Sequence, residues 1–178
     1  YTETRYADYV ANREKTGDFD YASTVAVPFG FGLSYTEFTY SNYKVSRTGD
    51  DYQVSVDVTN SGDVAGKDVV EIYLSKPYTD YNIENGIEAS AVELVGYQKT
   101  PLIEPGDTEN ITYTVDGRQF ASYDANTSKT YVLTPGEYYL VLGNGAHDAT
   151  NNLLANLGYS PADGRMDDEG DASLAKVA

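Results

Sequence analysis

Apolar and polar residues alternate strictly along residues 52–59. This period of two is typical of a β-strand with one buried face. Its apolar members are Tyr52, Val54, Val56 and Val58. Shorter alternating stretches follow, and turn residues such as those at 60–63 and 104–107 separate them. Because no long amphipathic helix pattern accompanies them, they predict an all-β fold, an antiparallel β-sandwich of about seven strands.

The strands of this sandwich are predicted at residues 36–46, 52–59, 69–75, 93–100, 110–115, 131–133 and 137–142. In the first strand Phe38 and Tyr40 share one face, and Asn42 is the expected site of a β-bulge before Tyr43. The last two strands are expected to pair as a hairpin, and residues 120–124 to form a helical turn between the sheets. The polar stretch at 77–91 is predicted to be a long loop.

Both ends of the chain differ from the alternating region. Residues 1–24 have no clear period, which predicts an ordered lead-in loop that lies on another surface. After residue 143 a short helix is expected, with Asp148 as its N-cap and Gly158 at its end. Residues 161–178 are acidic and rich in small residues, which indicates a linker. The predicted parts are a lead-in at 1–35, the sandwich at 36–147, and a short helix with an acidic linker at 148–178.

Residues 25–36 join the lead-in to the first strand and are apolar with two glycines. Pro28 ends an extended run, and Gly30 and Gly32 allow the backbone to bend sharply. The pattern predicts a rigid elbow in which rings and methyl groups are buried. The structural elbow residues are Pro28, Phe29, Gly30, Phe31, Gly32, Leu33 and Tyr35.

Charge and composition exclude several classes of partner. The 178-residue chain carries a net charge of -16 and has a pI near 4.2, so it would repel nucleic acids and anionic membrane surfaces. No apolar run reaches the roughly 18 residues of a membrane-spanning helix. The chain has no cysteine, so its stability must come from packing, and the cellular compartment stays open.

The 28 acidic residues raise the question of catalysis. Glycoside hydrolysis uses two carboxyl groups about 5–10 Å apart, one of them with a raised pKa. Nearly all the acidic residues here fall at predicted turns or outward strand positions, where water keeps the pKa ordinary. We therefore predict no catalytic residue in the chain and no cofactor.

Two parts of the sequence are candidate metal sites, and neither has the ligand pattern that a metal needs. His147 lacks the partner histidines or cysteines of a zinc site and is expected to hydrogen-bond the backbone. The acidic run at 163–171 has Arg165 where a calcium loop needs an oxygen ligand. A solvated linker fits that run better, so no metal site is predicted.

The elbow also carries a family resemblance. Residues 28–36, which read PFGFGLSYT, resemble the motif by which family 3 glycoside hydrolases, the β-glucosidase family, pass from their α/β sandwich domain into a fibronectin type III-like domain. Further segments resemble landmarks of that domain in the same order, at residues 56–63, 65–75, 93–99, 102–107, 120–124 and 135–138. The ordered set spans residues 25–148.

The resemblance implies a fibronectin type III or immunoglobulin-like β-sandwich from a bacterial enzyme. The chain would be its non-catalytic structural part, and the α/β sandwich and barrel domains of the same enzyme would be its partners. Those domains would hydrolyse terminal β-linked sugars with retention and without a metal. Since the family takes its nucleophile and acid/base residues from them, this chain alone is expected to be inactive. The loop at 77–91 would lie at the edge of the active-site cleft, and the continuation past residue 143 resembles members whose barrel follows this domain.

Two other functions stay open on the residues alone. Eighteen tyrosines without a tryptophan would suit a sugar-stacking platform, because a ring with a polar tip matches carbohydrate faces. A free-standing carbohydrate-binding module is therefore one alternative. A cell-surface adhesion β-sandwich is the other, although no internal repeat is visible.

Overall fold

Two antiparallel sheets carry the fold in the computed structural model, which describes residues 25–87 and 89–178. The strands are β1 (Phe38–Thr48), β2 (Asp51–Asn60), β3 (Val69–Ser75), β4 (Glu93–Lys99), β5 (Thr108–Val115), β6 (Ser122–Asp124), β7 (Thr130–Val132), β8 (Tyr139–Gly143) and β9 (Ala175–Val177). One sheet has the order β1-β2-β5 and the other β4-β3-β8-β9, while β6 and β7 form a separate hairpin. The prediction of an all-β sandwich is confirmed.

The helical elements are short. They are the α-helices α1 (Asp80–Glu84) and α2 (Ala146–Asn156) and the 3-10 turns Gly117–Phe120, Pro161–Asp163 and Ala172–Leu174. Among the described residues, no helix has the length and apolar character needed to cross a bilayer. The predicted lead-in loop at 1–24 lies outside the described residues.

The core lies between the two sheets and follows from the alternation of β2. Val54, Val56 and Val58 are almost completely buried, and they pack in one cluster with Ile72 and Leu74 of β3. Each such side chain contributes about 1.5–3 kcal/mol through removal of apolar surface from water. The strand with the clearest period thus forms the centre of the molecule.

The predicted bulge in β1 is present. Asn42 has a positive φ of 53°, and the pairing of β1 with β2 shifts between Ser41 and Lys44. The extra residue turns the next side chain, Tyr43, into the core, where its hydroxyl donates to the Leu140 carbonyl at 3.0 Å. Because Leu140 belongs to β8, this bond joins the two sheets.

The predicted hairpin between residues 131–133 and 137–142 is wrong. β7 pairs with β6, whereas β8 lies between β3 and β9. Both edges of β8 are therefore occupied, and β7 is left to a separate partner. The predicted helical turn at 120–124 is also displaced, since the 3-10 turn ends at Phe120 and β6 begins at Ser122.

The prediction of an acidic linker at 161–178 is also wrong. Residues 175–177 form β9 on the edge of the second sheet, and Leu174 is buried in the core cluster. The backbone N–H of Ala178 donates to the Tyr138 carbonyl at 2.9 Å. A short apolar run within the acidic segment is enough to complete a sheet, because edge strands need few residues. The division of the chain at residues 35 and 147 stays a prediction.

Helix α2 begins two residues before its predicted cap. Gly145 is the N-cap and has a φ of +125°. Asp148 lies in the first turn, where its carboxylate accepts from the Asn144 backbone N–H at 2.8 Å. A carboxylate at this end of a helix is favourable because it faces the positive end of the helix dipole.

Candidate functional site

The elbow is a tight turn held by its backbone. The N–H of Phe31 donates to the Pro28 carbonyl at 3.2 Å, and Gly30 between them has a φ of +86°. A side chain at Gly30 would overlap the Glu71 carboxylate and would lie 2.6 Å from the Tyr73 hydroxyl. Glycine is therefore required here both for the backbone conformation and for the space.

The elbow is also attached to the start of helix α2. The Phe29 carbonyl accepts from the Ala146 backbone N–H at 2.8 Å. The Phe29 ring packs on the small cluster that contains Tyr73 and Val141. The predicted rigid bend is thus tied to the second sheet and to α2 by backbone and ring contacts.

Burial of the elbow side chains differs from the prediction. Phe31 is 52% exposed, Leu33 91% and Tyr35 100%, and Val27 before the turn is 44% exposed. The expectation that these groups are buried is wrong within the described residues, because only Phe29 turns toward the fold. Four exposed apolar side chains within nine residues make this segment a candidate interaction surface. We call Val27, Phe31, Leu33 and Tyr35 the elbow surface.

A cleft of about 630 Å³ adjoins the elbow surface. Its walls come from the elbow, the start of β1 and the residues around the start of β3. At its rim the Thr36 hydroxyl donates to Asn60 Oδ1 at 2.7 Å, and the buried Asn60 amide donates to the Ile103 carbonyl at 2.9 Å. These bonds fix the path of the chain from the elbow into β1.

Two acidic side chains in this cleft are paired with tyrosines. The Tyr40 hydroxyl donates to Asp68 Oδ2 at 2.7 Å, and the Tyr73 hydroxyl donates to Glu71 Oε2 at 2.6 Å. Burial raises the pKa of Glu71, the nearby Asp68 charge adds to the rise, and the Tyr73 hydrogen bond opposes it. Burial and the neighbouring carboxylates also raise the pKa of Tyr40 and Tyr73. The prediction that acidic residues face water therefore fails for Glu71.

Asp124 is an acidic residue that is completely buried. Its carboxylate accepts from the backbone N–H groups of Asn126, Thr127 and Ser128 at 2.9–3.0 Å, and from the Tyr81 hydroxyl at 2.8 Å. These bonds, first those from Thr127 and Ser128, hold its pKa far below the ordinary value. Asp124 is thus a structural anchor that is charged at neutral pH rather than a proton donor.

The predicted long loop at 77–91 includes helix α1 and is anchored through Asp124. Tyr81 of α1 reaches that carboxylate, and the Asn126 amide donates to the Asn85 carbonyl at 2.7 Å. The run Asp124 to Ser128 contains the signal that sequence reasoning missed, because an aspartate commonly accepts from N–H groups two to four residues later. The loop is therefore held in one place against the β6–β7 hairpin.

His147 contacts an acidic side chain, and the predicted hydrogen bond to the backbone stays a prediction. It lies in helix α2, and its Nε2 is 2.7 Å from Asp167 Oδ1. Asp167 also accepts from the Asn151 amide at 3.1 Å. In the part of the chain that the structure describes, no group of three or more histidine, cysteine or acidic side chains is placed to hold a metal ion.

Comparison with known proteins agrees with this geometry. The family model described as the fibronectin type III-like domain matches residues 68–146. The chain contains a fibronectin type III-like domain. The matched residues include the six strands from β3 to β8, and helix α2 begins at their end.

Proteins similar to the chain are β-glucosidases. Beta-glucosidase B of Emericella nidulans is 38% identical over 138 residues, which cover 75% of this chain and 15% of that protein. β-Glucosidase 3B of Thermotoga neapolitana, solved with α-D-glucose, superposes with a TM-score of 0.60 at 32% identity, covering 71% of this chain and 16% of that one. The GH3 β-glucosidase of Bifidobacterium adolescentis superposes with a TM-score of 0.61 at 29% identity, covering 71% and 18%.

These matches confirm the resemblance of the chain to family 3 glycoside hydrolases. The chain spans only about a sixth of the length of the proteins that it matches. The fibronectin type III-like domain therefore corresponds to one small part of each enzyme. The bacterial source expected from the resemblance stays a prediction.

Proposed function

We propose that this chain is the non-catalytic, structural portion of a family 3 β-glycosidase, and that the elbow surface docks on another domain of the same enzyme. The α/β sandwich domain is the partner that the elbow would contact, and the barrel domain is the second partner. The observation that carries the proposal is the exposure of Leu33 and Tyr35 directly after a hydrogen-bonded turn that is tied to helix α2.

Two properties of the elbow surface support docking. The turn that leads into it is already ordered by the Phe31–Pro28 and Phe29–Ala146 backbone hydrogen bonds, which lowers the conformational entropy that binding would cost. Its apolar groups would gain roughly 25 cal/mol for each Å² removed from water. A rigid, apolar and exposed turn therefore matches a permanent contact within one polypeptide.

The carboxylates support the non-catalytic part of the proposal. Asp124 accepts five hydrogen bonds that keep it charged at neutral pH, and Glu71 is bonded to Tyr73 beneath the elbow. A partner on the elbow surface would cover the Glu71 site rather than open it to a sugar. Hydrolysis of terminal β-linked sugars would then take place on groups in the other domains, and the anchored loop at 77–91 would lie at the edge of their cleft.

The test uses the full enzyme with Leu33→Asp and Tyr35→Asp introduced together. We expect a lower Tm and weaker β-glucosidase activity, because two charges would be buried at the domain contact. Tyr97→Asp is the matched control, since Tyr97 is 65% exposed on β4 and lies outside the elbow surface. Equal effects of the double variant and the control would refute docking through the elbow.

Two measurements on the 178-residue chain complete the test. The elbow variants should leave its Tm nearly unchanged, because Leu33 and Tyr35 already face water there. The chain should not hydrolyse p-nitrophenyl β-glucoside. Turnover of that substrate by the purified chain would overturn the non-catalytic assignment while leaving the docking test unaffected.

A further inference from the structure

A second cleft lies at the end of the first sheet that is remote from the elbow. It has a volume of about 880 Å³, within the range of roughly 300–1,000 Å³ found for small-molecule sites. Its residues come from the β1–β2 turn, the 3-10 turn after β5 and the strand β7. The elbow joins the other end of β1, about 30 Å away along an 11-residue strand. The cleft is therefore separate from the elbow surface.

The floor of this cleft is aromatic and rigid. Tyr52 stacks on Phe120 with ring centroids 4.5 Å apart, and Phe120 contacts Tyr138 at 5.5 Å. Phe120 is buried, and the Tyr138 hydroxyl donates to the Thr134 carbonyl at 2.9 Å. These contacts order the rings in the absence of a ligand, so a ligand would not have to order them.

One wall of the cleft exposes further apolar surface to solvent. Tyr131 is 71% exposed and Leu133 65%. The Tyr131 ring is nevertheless held, because Tyr123 lies opposite it across the β6–β7 pair with centroids 5.3 Å apart. An ordered, exposed tyrosine beside a cleft is suited to stack on a flat ligand face.

The charges around the cleft balance each other. The Arg118 Nε lies 2.9 and 3.0 Å from the two oxygens of Asp116, and an Arg47 nitrogen lies 3.9 Å from Asp50. Each cation in the cleft therefore has a carboxylate beside it, which disfavours a phosphate or a carboxylate as the ligand. A guanidinium has five N–H donors, more than one carboxylate takes up, and carboxylate oxygens accept from hydroxyls. This arrangement suits a neutral ligand with many hydroxyl groups.

We propose that the cleft binds a neutral oligosaccharide, with one sugar ring on Tyr131 and its hydroxyl groups on the Arg118–Asp116 pair. The aromatic ring would pack against the C–H face of a pyranose, and the ion pair would hydrogen-bond the hydroxyl groups at its edge. The site would give the domain its own contact with carbohydrate, in addition to its structural role. It does not depend on docking through the elbow, so either proposal can fail alone.

The test is a calorimetric and NMR titration of the 178-residue chain with cellotetraose and laminaritetraose. We expect at least one of them to bind with a Kd of about a millimolar or tighter, and to shift NMR signals of residues that line the cleft. Tyr131→Ala should weaken binding roughly tenfold by removing the stacking surface. Arg118→Lys should weaken it too, because two guanidinium nitrogens, Nε and Nη2, contact Asp116, and lysine has only one nitrogen to place there.

The control variant is Tyr97→Ala, which removes an exposed tyrosine from β4 outside the cleft. It should leave the Kd unchanged, and the Tm should show that all the variants are folded. The proposal is wrong if neither sugar binds, if Tyr131→Ala has no effect, or if Tyr97→Ala weakens binding equally. Stronger binding of glucose 6-phosphate than of both neutral sugars would also overturn it.

Discussion

The buried side chain of Asn152 accepts a hydrogen bond from the Asp171 backbone N–H at 2.7 Å. Its amide nitrogen donates to the Leu142 carbonyl at 2.9 Å. One side chain of helix α2 thus joins β8 to the segment that leads into β9. This explains how residues of linker-like composition are held on the sandwich.

Asn152→Ala should lower the free energy of unfolding by about 1–3 kcal/mol, because it leaves the buried Leu142 carbonyl and the partly buried Asp171 N–H without their partner. Asn156→Ala is the matched control on the same helix. Asn156 also donates to two carbonyls of the C-terminal segment, but it is exposed, so water can replace it. Its loss should cost about 0.5–1 kcal/mol. Urea unfolding measures the free energy of unfolding of both variants. Equal losses would show that Asn152 is not the main contact that holds the C-terminal segment on the sandwich.

Asp124 should make the fold sensitive to acid. Its folded pKa lies far below the unfolded value of about 3.9. Its contribution to stability is therefore complete above the unfolded pKa and is lost as the pH falls through the folded pKa. Asp124→Asn should lower the Tm by several degrees at pH 7, and the difference from the natural chain should shrink below about pH 4.

The control for this pH series is Asp63→Asn, at an exposed turn residue. It should change the Tm little at pH 7 or at pH 3. Tyr81→Phe, which removes only one of the hydrogen bonds to Asp124, should have a smaller effect than Asp124→Asn. A constant difference in Tm between pH 7 and pH 2 would contradict the role given to the Asp124 charge.

The Glu71 carboxylate should lower the stability of the fold at neutral pH, whereas the Asp124 carboxylate raises it. Its folded pKa is raised, so the folded state favours its neutral form. Ionisation of Glu71 therefore costs more free energy in the folded state than in the unfolded state. This loss of stability begins as the pH rises through the unfolded pKa and reaches its full size above the folded pKa. Glu71→Gln should therefore have a higher Tm than the natural chain at pH 7, and this gain should disappear by about pH 4.

Glu109→Gln is the control for Glu71, because Glu109 also lies on a strand but is exposed. Its Tm should follow that of the natural chain at each pH. A lower Tm of Glu71→Gln at pH 7 would show that the Tyr73 hydrogen bond outweighs the cost of burying the charge.

Strands with a clear period could be predicted from the sequence, and strands defined by their partners could not. The alternation in β2 places its valines inward, and the Asn42 bulge follows from a residue that tolerates a positive φ. β9 has only three residues, too few to show a period. The partner of β7 depends on which edges of β8 are already taken, and no local pattern contains that information.

In the candidate site, too, local features could be predicted from the sequence and contacts between distant segments could not. The turn at Pro28 and Gly30 could be predicted, because proline and glycine act on the local backbone. Exposure of Leu33 could not, since burial depends on what surrounds a side chain. The Asp124 anchor needs Tyr81, which is 43 residues away, and the cleft beside Tyr131 needs three distant segments. Contacts between distant segments leave no local signal.

Gly30→Ala should be strongly destabilising, and Gly32→Ala should not. Gly30 has a φ of +86° and lies against Glu71 and Tyr73, so a methyl group there would meet both strain and overlap. We expect a loss of about 2 kcal/mol or more in the free energy of unfolding. Among the described residues, no atom lies within 4 Å of where a methyl group on Gly32 would stand. Alanine there should change stability by less than about 1 kcal/mol, in the stabilising direction. Urea unfolding of both variants decides the matter, because equal stability would mean that the elbow is not held against Glu71.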